Sequence, residues 1–161
     1  MKLFEYQAKE VFAGAGIPVP KSVLITSADE LSAAVVTLGL PCVLKCQVLS
    51  GGRGKAGLVK LVQTQAEAQT LAERYFTELP SLHAVLVEEA VAIERELYLA
   101  VTMDAASGRA MLMGCAEGGV EIDTSPALRR IALDAEAADA AETIYAAIRD
   151  DLPPTAAARV A

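Results

Sequence analysis

The chain has 161 residues, of which 53% are hydrophobic and 22% are charged, and its formal net charge at pH 7 is −7. This composition predicts a folded domain with a substantial core, and it excludes a disordered chain. The negative charge argues against nucleic acid and anionic membrane as partners, since both would repel the protein on average. The apolar runs are far shorter than the ~20 residues that span a bilayer, and Glu5 stands where a signal peptide would be apolar. We therefore expect a cytoplasmic protein.

Apolar spacing and turn residues predict an α+β chain with a mixed or antiparallel sheet. The predicted elements are, in chain order, a helix over 3–15, a strand over 22–26, a helix after the capping box 27–30, strands over 42–48 and 58–62, a helix after the capping box 64–67, and strands over 84–88, 94–103 and 109–115. Turn formers at 104–108 predict a hairpin between the last two strands. The alanine-rich part that follows is predicted to form a helix over 137–149. We expect one domain over 1–150 and an unstructured tail over 151–161.

The cysteines and the sole histidine offer little for catalysis. Cys42, Cys46 and Cys115 form no CxxC motif, and we expect reduced, packed thiols, with a redox or metal site as the alternative. His83 is the only histidine and is expected to be an ordinary surface residue, so a His-based metal site or a Ser-His-Asp triad has little to build on. We therefore assign no catalytic residue and no metal ligand.

The charge is unevenly distributed along the chain. Residues 31–66 contain no acid but include four cations, at Lys45, Arg53, Lys55 and Lys60. An acidic protein that keeps carboxylates out of one segment is expected to have a local anion site there.

The same window holds a glycine-rich loop, Gly51–Gly57, between two predicted strands. It is neither a P-loop nor a Rossmann turn, because both need a helix directly after the glycines. It is typical of a flexible flap whose backbone N–H groups fold over phosphate oxygens, and Lys45 and Gln47 share the strand face beside it. The alternative is a surface loop that only turns the chain.

Acidic residues follow the next apolar strand. A strand end such as 88–91 offers an apolar slot and backbone groups for an adenine, and a carboxylate such as Glu96 would accept from ribose hydroxyls. Glu94, Glu96 and Tyr98 are predicted to lie on one strand face. Taken singly, Glu89, Glu94 and Glu96 are better interpreted as a solvated strand face.

Several segments together resemble a known family. The segments are Leu3–Lys9, Lys45–Val48 with Gly51–Gly57, Leu86–Glu88, Glu96–Leu99 and Glu117–Ile122. Over about residues 1–123 they resemble, in order and spacing, the β subunit of succinyl-CoA synthetase (succinate–CoA ligase, ADP-forming). Related acyl-CoA ligases such as malate–CoA ligase share most of this pattern.

The resemblance implies the N-terminal, nucleotide-binding lobes of an ATP-grasp fold. Carried over by position, it implies that Lys45 contacts phosphate, that Gly52, Arg53 and Gly54 form the flap, that Glu88 and Val91 frame the adenine, and that Glu96 accepts from the nucleotide. It implies ATP (or GTP) and Mg²⁺ as cofactors, and formation of succinyl-CoA from succinate and CoA through a phosphohistidine on a partner α subunit. His83 is not that histidine.

The sequence also departs from the family. The family usually has His where this chain has Phe4 and Leu49, and Gly where it has Leu58. The acid and amide that hold Mg²⁺ are expected outside this chain, so we expect no activity without the remaining β-subunit portion or a second chain. A sheet edge or apolar face left uncovered would favour self-association. The alternative function is a non-catalytic nucleotide-binding or interaction module derived from the same fold.

Overall fold

A computed structural model describes residues 2–115, 118 and 125–133 of the chain. The chain divides into two compact units, residues 1–92 and 93–161, which we describe separately. The helix predicted over 137–149 and the tail predicted over 151–161 lie outside the described residues, so both stay predictions.

The first unit contains a four-stranded sheet with three helices. Its elements are α1 (Glu5–Gly14), β1 (Ser22–Ile25), a 3₁₀ turn (Ala28–Glu30), α2 (Leu31–Leu38), β2 (Cys42–Gln47), β3 (Val59–Val62), α3 (Gln65–Glu78) and β4 (Ala84–Glu89). The strand order is β1-β4-β2-β3, and all three pairings are antiparallel. In the central pair, Lys45 of β2 lies opposite Leu86 of β4. The predicted α+β class with an antiparallel sheet is confirmed.

One face of this sheet carries the apolar core. On β2, Leu44 and Cys46 are fully buried and pack in the same cluster as residues of α2 and α3. Val85 and Val87 of β4 join them, because alternate residues of a strand point to the same face. Burial of one such side chain as large as Leu44 stabilises the fold by about 1.5–3 kcal/mol.

The two helices on the core face begin in different ways. The Thr64 hydroxyl accepts from the Glu67 backbone N–H at 3.2 Å, so the serine/threonine half of the capping box predicted at 64–67 is confirmed. The Glu67 carboxylate accepts from the Gln63 N–H at 2.8 Å, one residue before the N-cap. The capping box predicted at 27–30 is wrong, because Ser27 makes no side-chain cap bond. A 3₁₀ turn precedes α2, and the Glu30 carboxylate reaches one residue further back, accepting from the Thr26 N–H at 2.8 Å.

Helix α1 is associated with the opposite face of the sheet. None of its residues Glu5–Gly14, all of which the structure describes, is buried. It is tied down by polar bonds, such as the one from the Tyr6 N–H to the Gln47 side-chain oxygen at 3.2 Å. It ends as predicted before Gly16, whose φ of +79° is readily adopted by glycine.

The second unit contains a three-stranded antiparallel sheet. Its strands are β5 (Tyr98–Met103), β6 (Ala110–Cys115) and β7 (Arg129–Ala132), in the order β5-β6-β7. The hairpin predicted at 104–108 is confirmed: Asp104 accepts from the Ser107 hydroxyl at 2.6 Å, and Gly108 has φ +67°. Strand β7 was not predicted, because Arg129-Arg130 shows no apolar alternation and only its pairing with β6 makes the segment a strand.

The beginning of β5 also differs from the prediction. The strand starts at Tyr98 rather than at residue 94, so the predicted common strand face of Glu94, Glu96 and Tyr98 is wrong. The Glu96 carbonyl instead accepts from the Gly118 N–H at 2.9 Å. A Cβ at Gly118 would lie 2.3 Å from the Glu96 Cβ, so this close approach requires glycine. Among the described residues, no helix is long and apolar enough to cross a membrane.

Candidate phosphate-binding site

Lys45 lies on β2 and points away from the apolar core. Its ammonium group donates to Glu88 Oε1 at 2.7 Å and to Glu5 Oε1 at 3.0 Å. Glu88 comes from the neighbouring strand β4 and Glu5 from the first turn of α1. Two elements distant in sequence therefore supply the carboxylates that hold this lysine.

The glycine-rich loop folds back towards Lys45. Arg53 donates from one guanidinium nitrogen to the Cys46 carbonyl at 3.1 Å and from another to Glu5 Oε2 at 2.8 Å. The loop closes on itself, with the Leu58 N–H donating to the Arg53 carbonyl at 2.9 Å. Gly52 has φ +74°, a left-handed conformation that other residues rarely adopt, which is why glycine is needed at this point of the flap.

The far end of the loop is anchored on the core side of the sheet. The Tyr75 hydroxyl of α3 donates to the Gly57 carbonyl at 2.7 Å, and Gly57 has φ +71°. Burial raises the pKa of Tyr75 to about 12, so the hydroxyl keeps its proton as a donor. The loop is thus attached at Arg53 to one face of the sheet and at Gly57 to a helix on the other.

Lys9 completes a group that we call the ion cluster: Glu5, Lys9, Lys45, Arg53 and Glu88. Its ammonium group bonds to Glu88 Oε2 and lies 3.4 Å from Glu5 Oε1. Three cations face two carboxylates, which gives the cluster a net charge of +1. The side chains are between 6% and 25% exposed, so water screens them only in part.

Two of these groups have shifted pKa values. Burial alone would raise the pKa of Glu5, but Lys45 and Arg53 outweigh it and hold the pKa below its ordinary 4.5. Burial alone would lower the pKa of Lys45, but the bonds to Glu88 and Glu5 hold it above its ordinary 10.5. Both residues are therefore charged throughout the neutral range.

Residues 31–66 contain no acid, but the site that they form in the folded protein does contain carboxylates. Glu5 precedes the window and Glu88 follows it, yet both contact Lys45. The expected anion site therefore also contains carboxylates, because α1 and β4 bring them onto the same face of β2. Most of the positive charge is paired, and one net positive charge remains.

The donor set fits phosphate and does not fit a divalent cation. Lys45 and Arg53 beside a glycine loop supply the charge-assisted N–H donors that phosphate oxygens accept. The two carboxylates of the cluster are already bonded to cations. Among the described residues, no group of three His, Cys, Asp or Glu side chains is placed to hold a metal.

The structure brings together some of the predicted site residues. Lys45, Arg53 and Glu88 meet in the ion cluster, and Gly52 and Gly54 flank Arg53 in the loop. Val91 lies just after β4 near the end of the first unit and is 55% exposed. Glu96 belongs to the second unit, in the segment before β5.

Sequence reasoning missed the two α1 members of the cluster. Glu5 and Lys9 lie in the segment Leu3–Lys9 that carries the family resemblance, but nothing in their spacing shows which strand they reach. The Gln47 side chain is fully buried. Its oxygen accepts from the Tyr6 N–H, and its nitrogen donates to the Lys45 carbonyl at 2.9 Å. It therefore links the start of α1 to the strand that carries Lys45.

The histidine and the three cysteines lie outside the ion cluster. His83 is exposed, as expected, and its ring stacks on Phe4 with centroids 4.5 Å apart. The three cysteines are free and buried, so the expectation of reduced, packed thiols is confirmed. Burial raises the pKa of Cys46 to about 11, which keeps it a neutral thiol.

Comparison with known proteins identifies the family. A model of the ATP-grasp domain matches residues 2–144. The chain belongs to the ATP-grasp family. It is 55% identical over 123 residues to an ADP-forming sulfoacetate-CoA ligase subunit, SauC, of Bilophila wadsworthia, and 50% identical over 126 residues to the β subunit of the ADP-forming succinate–CoA ligase of Natronomonas pharaonis. Each match covers 76% of this chain and 33% of the relative, so the chain spans about a third of their length.

Solved structures show the same fold. PH1788 from Pyrococcus horikoshii matches 92% of this ATP-grasp chain and 64% of its own, with a TM-score of 0.72 and 22% identity. A dinucleotide-forming acetyl-coenzyme A synthetase of Ca. Korarchaeum cryptofilum, solved with coenzyme A, Ca-AMPCP and HgCl⁺, matches 90% of this chain and 66% of its own, with a TM-score of 0.71 and 22% identity. The predicted ATP-grasp fold is confirmed.

Proposed function

We propose that this chain is the nucleotide-binding part of the β subunit of an ADP-forming acyl-CoA ligase and that it binds ATP through its phosphates. The observation that carries the proposal is the pair of cations at the glycine loop. Lys45 and Arg53 come from different elements and converge on the two oxygens of a single carboxylate, that of Glu5. Two cations that hold one carboxylate between them have the spacing to hold one phosphoryl group.

The proposed roles follow the predicted assignments. Lys45 contacts phosphate, and Gly52, Arg53 and Gly54 form the flap over it. Glu88 and Val91 frame the adenine. In the structure the Glu88 side chain bonds to Lys45 and Lys9, and its backbone lies in β4 between β1 and β2. Glu96 accepts from the nucleotide.

The proposed reaction needs components outside this chain. Mg²⁺, when bound, neutralises phosphate charge during phosphoryl transfer. Its ligands are expected elsewhere, since the described residues here do not fit a divalent cation. We further propose an α subunit that carries the phosphorylated histidine, and the rest of the β subunit or a second chain. The tricarboxylic acid cycle is the setting that a succinate substrate would imply.

The acid that is activated has two candidates. Succinate is the acid named for the relatives that are 41–50% identical. Sulfoacetate is the second candidate, and the 55% identity to the SauC subunit favours it. Both acids are small dianions. The proposed site contacts the nucleotide and not the acid, so it is compatible with either substrate. The nucleotide could likewise be GTP in place of ATP.

Nucleotide binding can be tested by isothermal titration of ATP with MgCl₂ into the full chain. We expect Lys45→Ala and Arg53→Ala each to weaken binding about tenfold or more, since each removes a charge-assisted hydrogen bond. Lys60→Ala is the matched control: it removes an exposed cation from the same acid-free window but outside the ion cluster. The absence of binding by the wild type would overturn the proposal, as would equal losses in all three variants.

The ligase assignment needs a separate assay. An α subunit and a β-subunit portion that carries the metal ligands are added to the chain, and ADP release is measured with succinate or sulfoacetate and CoA. We expect release only with all components present. Binding of ATP without release from any such mixture would favour the non-catalytic nucleotide-binding module instead.

A further inference from the structure

We propose that Glu5 is a built-in competitor of the nucleotide: its carboxylate occupies the phosphoryl position on Lys45 and Arg53 and leaves when a polyphosphate binds. The inference rests on the proposed function, because it concerns the same two cations. It adds a residue of α1 to the determinants of nucleotide affinity. It also makes the start of α1 sensitive to whether nucleotide is bound.

The geometry of Glu5 is that of a substitute ligand. Oε1 is 3.0 Å from the Lys45 ammonium and Oε2 is 2.8 Å from the Arg53 guanidinium. A phosphoryl group presents two oxygens to a pair of donors in the same manner. The position between Lys45 and Arg53 cannot hold the Glu5 carboxylate and a phosphoryl group at the same time, so one anion must replace the other.

Glu5 is the carboxylate that can leave. Glu88 is 4% exposed, belongs to an inner strand of the sheet and bonds to both Lys45 and Lys9. Glu5 is on α1, where no residue is buried. When Glu5 departs, Glu88 still holds Lys45 in place, and the loop keeps its bond from Arg53 to the Cys46 carbonyl.

Helix α1 is weakly anchored at this end. A cavity of about 210 Å³ lies between it and the sheet, lined by Tyr6 and Lys9 of α1 and by Leu24 and Leu86 of the strands. The described attachments of the first turn are the Glu5 pairs, the bond from the Tyr6 N–H to Gln47, and stacking of Phe4 and Tyr6 with His83. Loss of the Glu5 pairs should therefore loosen the first turn without disturbing the apolar core.

The exchange of anions favours polyphosphates. Displacement of Glu5 removes one negative charge from two partly buried cations and brings in the several charges of a di- or triphosphate. Removal of that carboxylate by mutation raises the net charge of the cluster from +1 to +2 and also removes the competition. Both effects predict tighter nucleotide binding.

The test is isothermal titration of ADP into the full-length wild type, Glu5→Gln and Glu10→Gln. We expect Glu5→Gln to bind ADP about tenfold more tightly than the wild type. Glu10→Gln is the matched control, because it removes the same charge from an exposed position of the same helix, outside the cluster. We expect its Kd to stay within about twofold of the wild-type value.

The outcomes separate this inference from the proposed function. Equal or weaker binding by Glu5→Gln overturns the inference and leaves the proposed function standing. Equal tightening by both variants also overturns it, since the effect is then one of overall charge. The absence of ADP binding by all three proteins overturns the proposed function itself, and the inference with it.

A measurement on the wild type covers the case in which Glu5→Gln does not fold. Hydrogen exchange at the backbone amides of residues 6–9 is followed with and without saturating ADP. Release of Glu5 predicts faster exchange at these amides when ADP is bound, with core strands β2 and β4 unchanged. Binding of ADP with unchanged exchange at residues 6–9 overturns the inference.

Discussion

The two faces of the sheet in the first unit are held by different forces. On the face covered by α2 and α3, Leu44, Cys46, Val85 and Val87 pack in a buried apolar cluster. On the α1 side, the contacts are ion pairs and hydrogen bonds around Lys45, and α1 has no buried residue. The packed apolar core lies on the first face, and the ion cluster lies on the second.

The largest effect on stability is expected from a substitution that truncates a side chain on the apolar face. Leu44→Ala should lower the free energy of unfolding by about 2–5 kcal/mol, since it leaves a cavity in a closely packed core. Leu61→Ala is the control, because Leu61 on β3 is 51% exposed and should cost less than about 0.5 kcal/mol. Urea denaturation measures both. Equal losses would remove the distinction between a packed face and an exposed one.

Next in size is the loss of the inner carboxylate of the ion cluster. Glu88→Gln should cost about 2–4 kcal/mol, because Lys45 and Lys9 are left partly buried with fewer partners. Glu78→Gln makes the same chemical change in an exposed pair, where Arg74 and Glu78 lie 4.0 Å apart, and should cost less than about 0.5 kcal/mol. A similar small loss in both variants would show that the cluster adds nothing to the stability of the α1 face.

A smaller effect is expected where the apolar face meets the start of its helices. Thr64→Ala should cost about 1 kcal/mol, since it removes the hydroxyl that caps α3. Ser27→Ala should cost less than about 0.3 kcal/mol, because Ser27 makes no cap bond. Thermal unfolding compares them. A larger loss for Ser27→Ala would contradict the Glu30–Thr26 arrangement.

The smallest effect is confined to acid pH and reports on the α1 face. The pKa of Glu5 is lowered in the folded state, so its contribution to stability is present above the unfolded value near 4.5 and is lost as pH falls through the folded pKa. Wild type and Glu5→Gln should therefore differ most near neutral pH and converge as the pH falls through the lowered folded pKa of Glu5. Glu10→Gln should follow the wild-type curve throughout. A constant offset between wild type and Glu5→Gln would contradict the assignment.

Local patterns in the sequence predicted much of the fold. The period of two on β2 placed Leu44 and Cys46 in the core and Lys45 and Gln47 on the other face, because side-chain direction in a strand depends only on position. The same reasoning could not find β7, whose Arg129-Arg130 pair has no strand pattern and becomes ordered only against β6. It also extended β5 four residues too far.

Sequence reasoning also found only some of the residues of the candidate site. The glycine loop, Lys45 and Arg53 were predicted from residue types and order along the chain. Glu5 and Lys9 could not be predicted, since apolar spacing indicates a helix over 3–15 but not which strand its polar residues reach. The nucleotide-binding roles of all the predicted site residues, Gly54, Val91 and Glu96 included, stay predictions.

The distribution of charge differs between the sequence and the folded protein. The sequence by itself determined that a protein of net charge −7 keeps residues 31–66 free of acids and places its cations beside a glycine loop. Only the tertiary structure decided that this window is not a bare basic pocket. Coulomb interactions depend on distance in space, and the fold brings Glu5 and Glu88, separated from Lys45 by about 40 residues on either side, within 3.0 Å of its ammonium group.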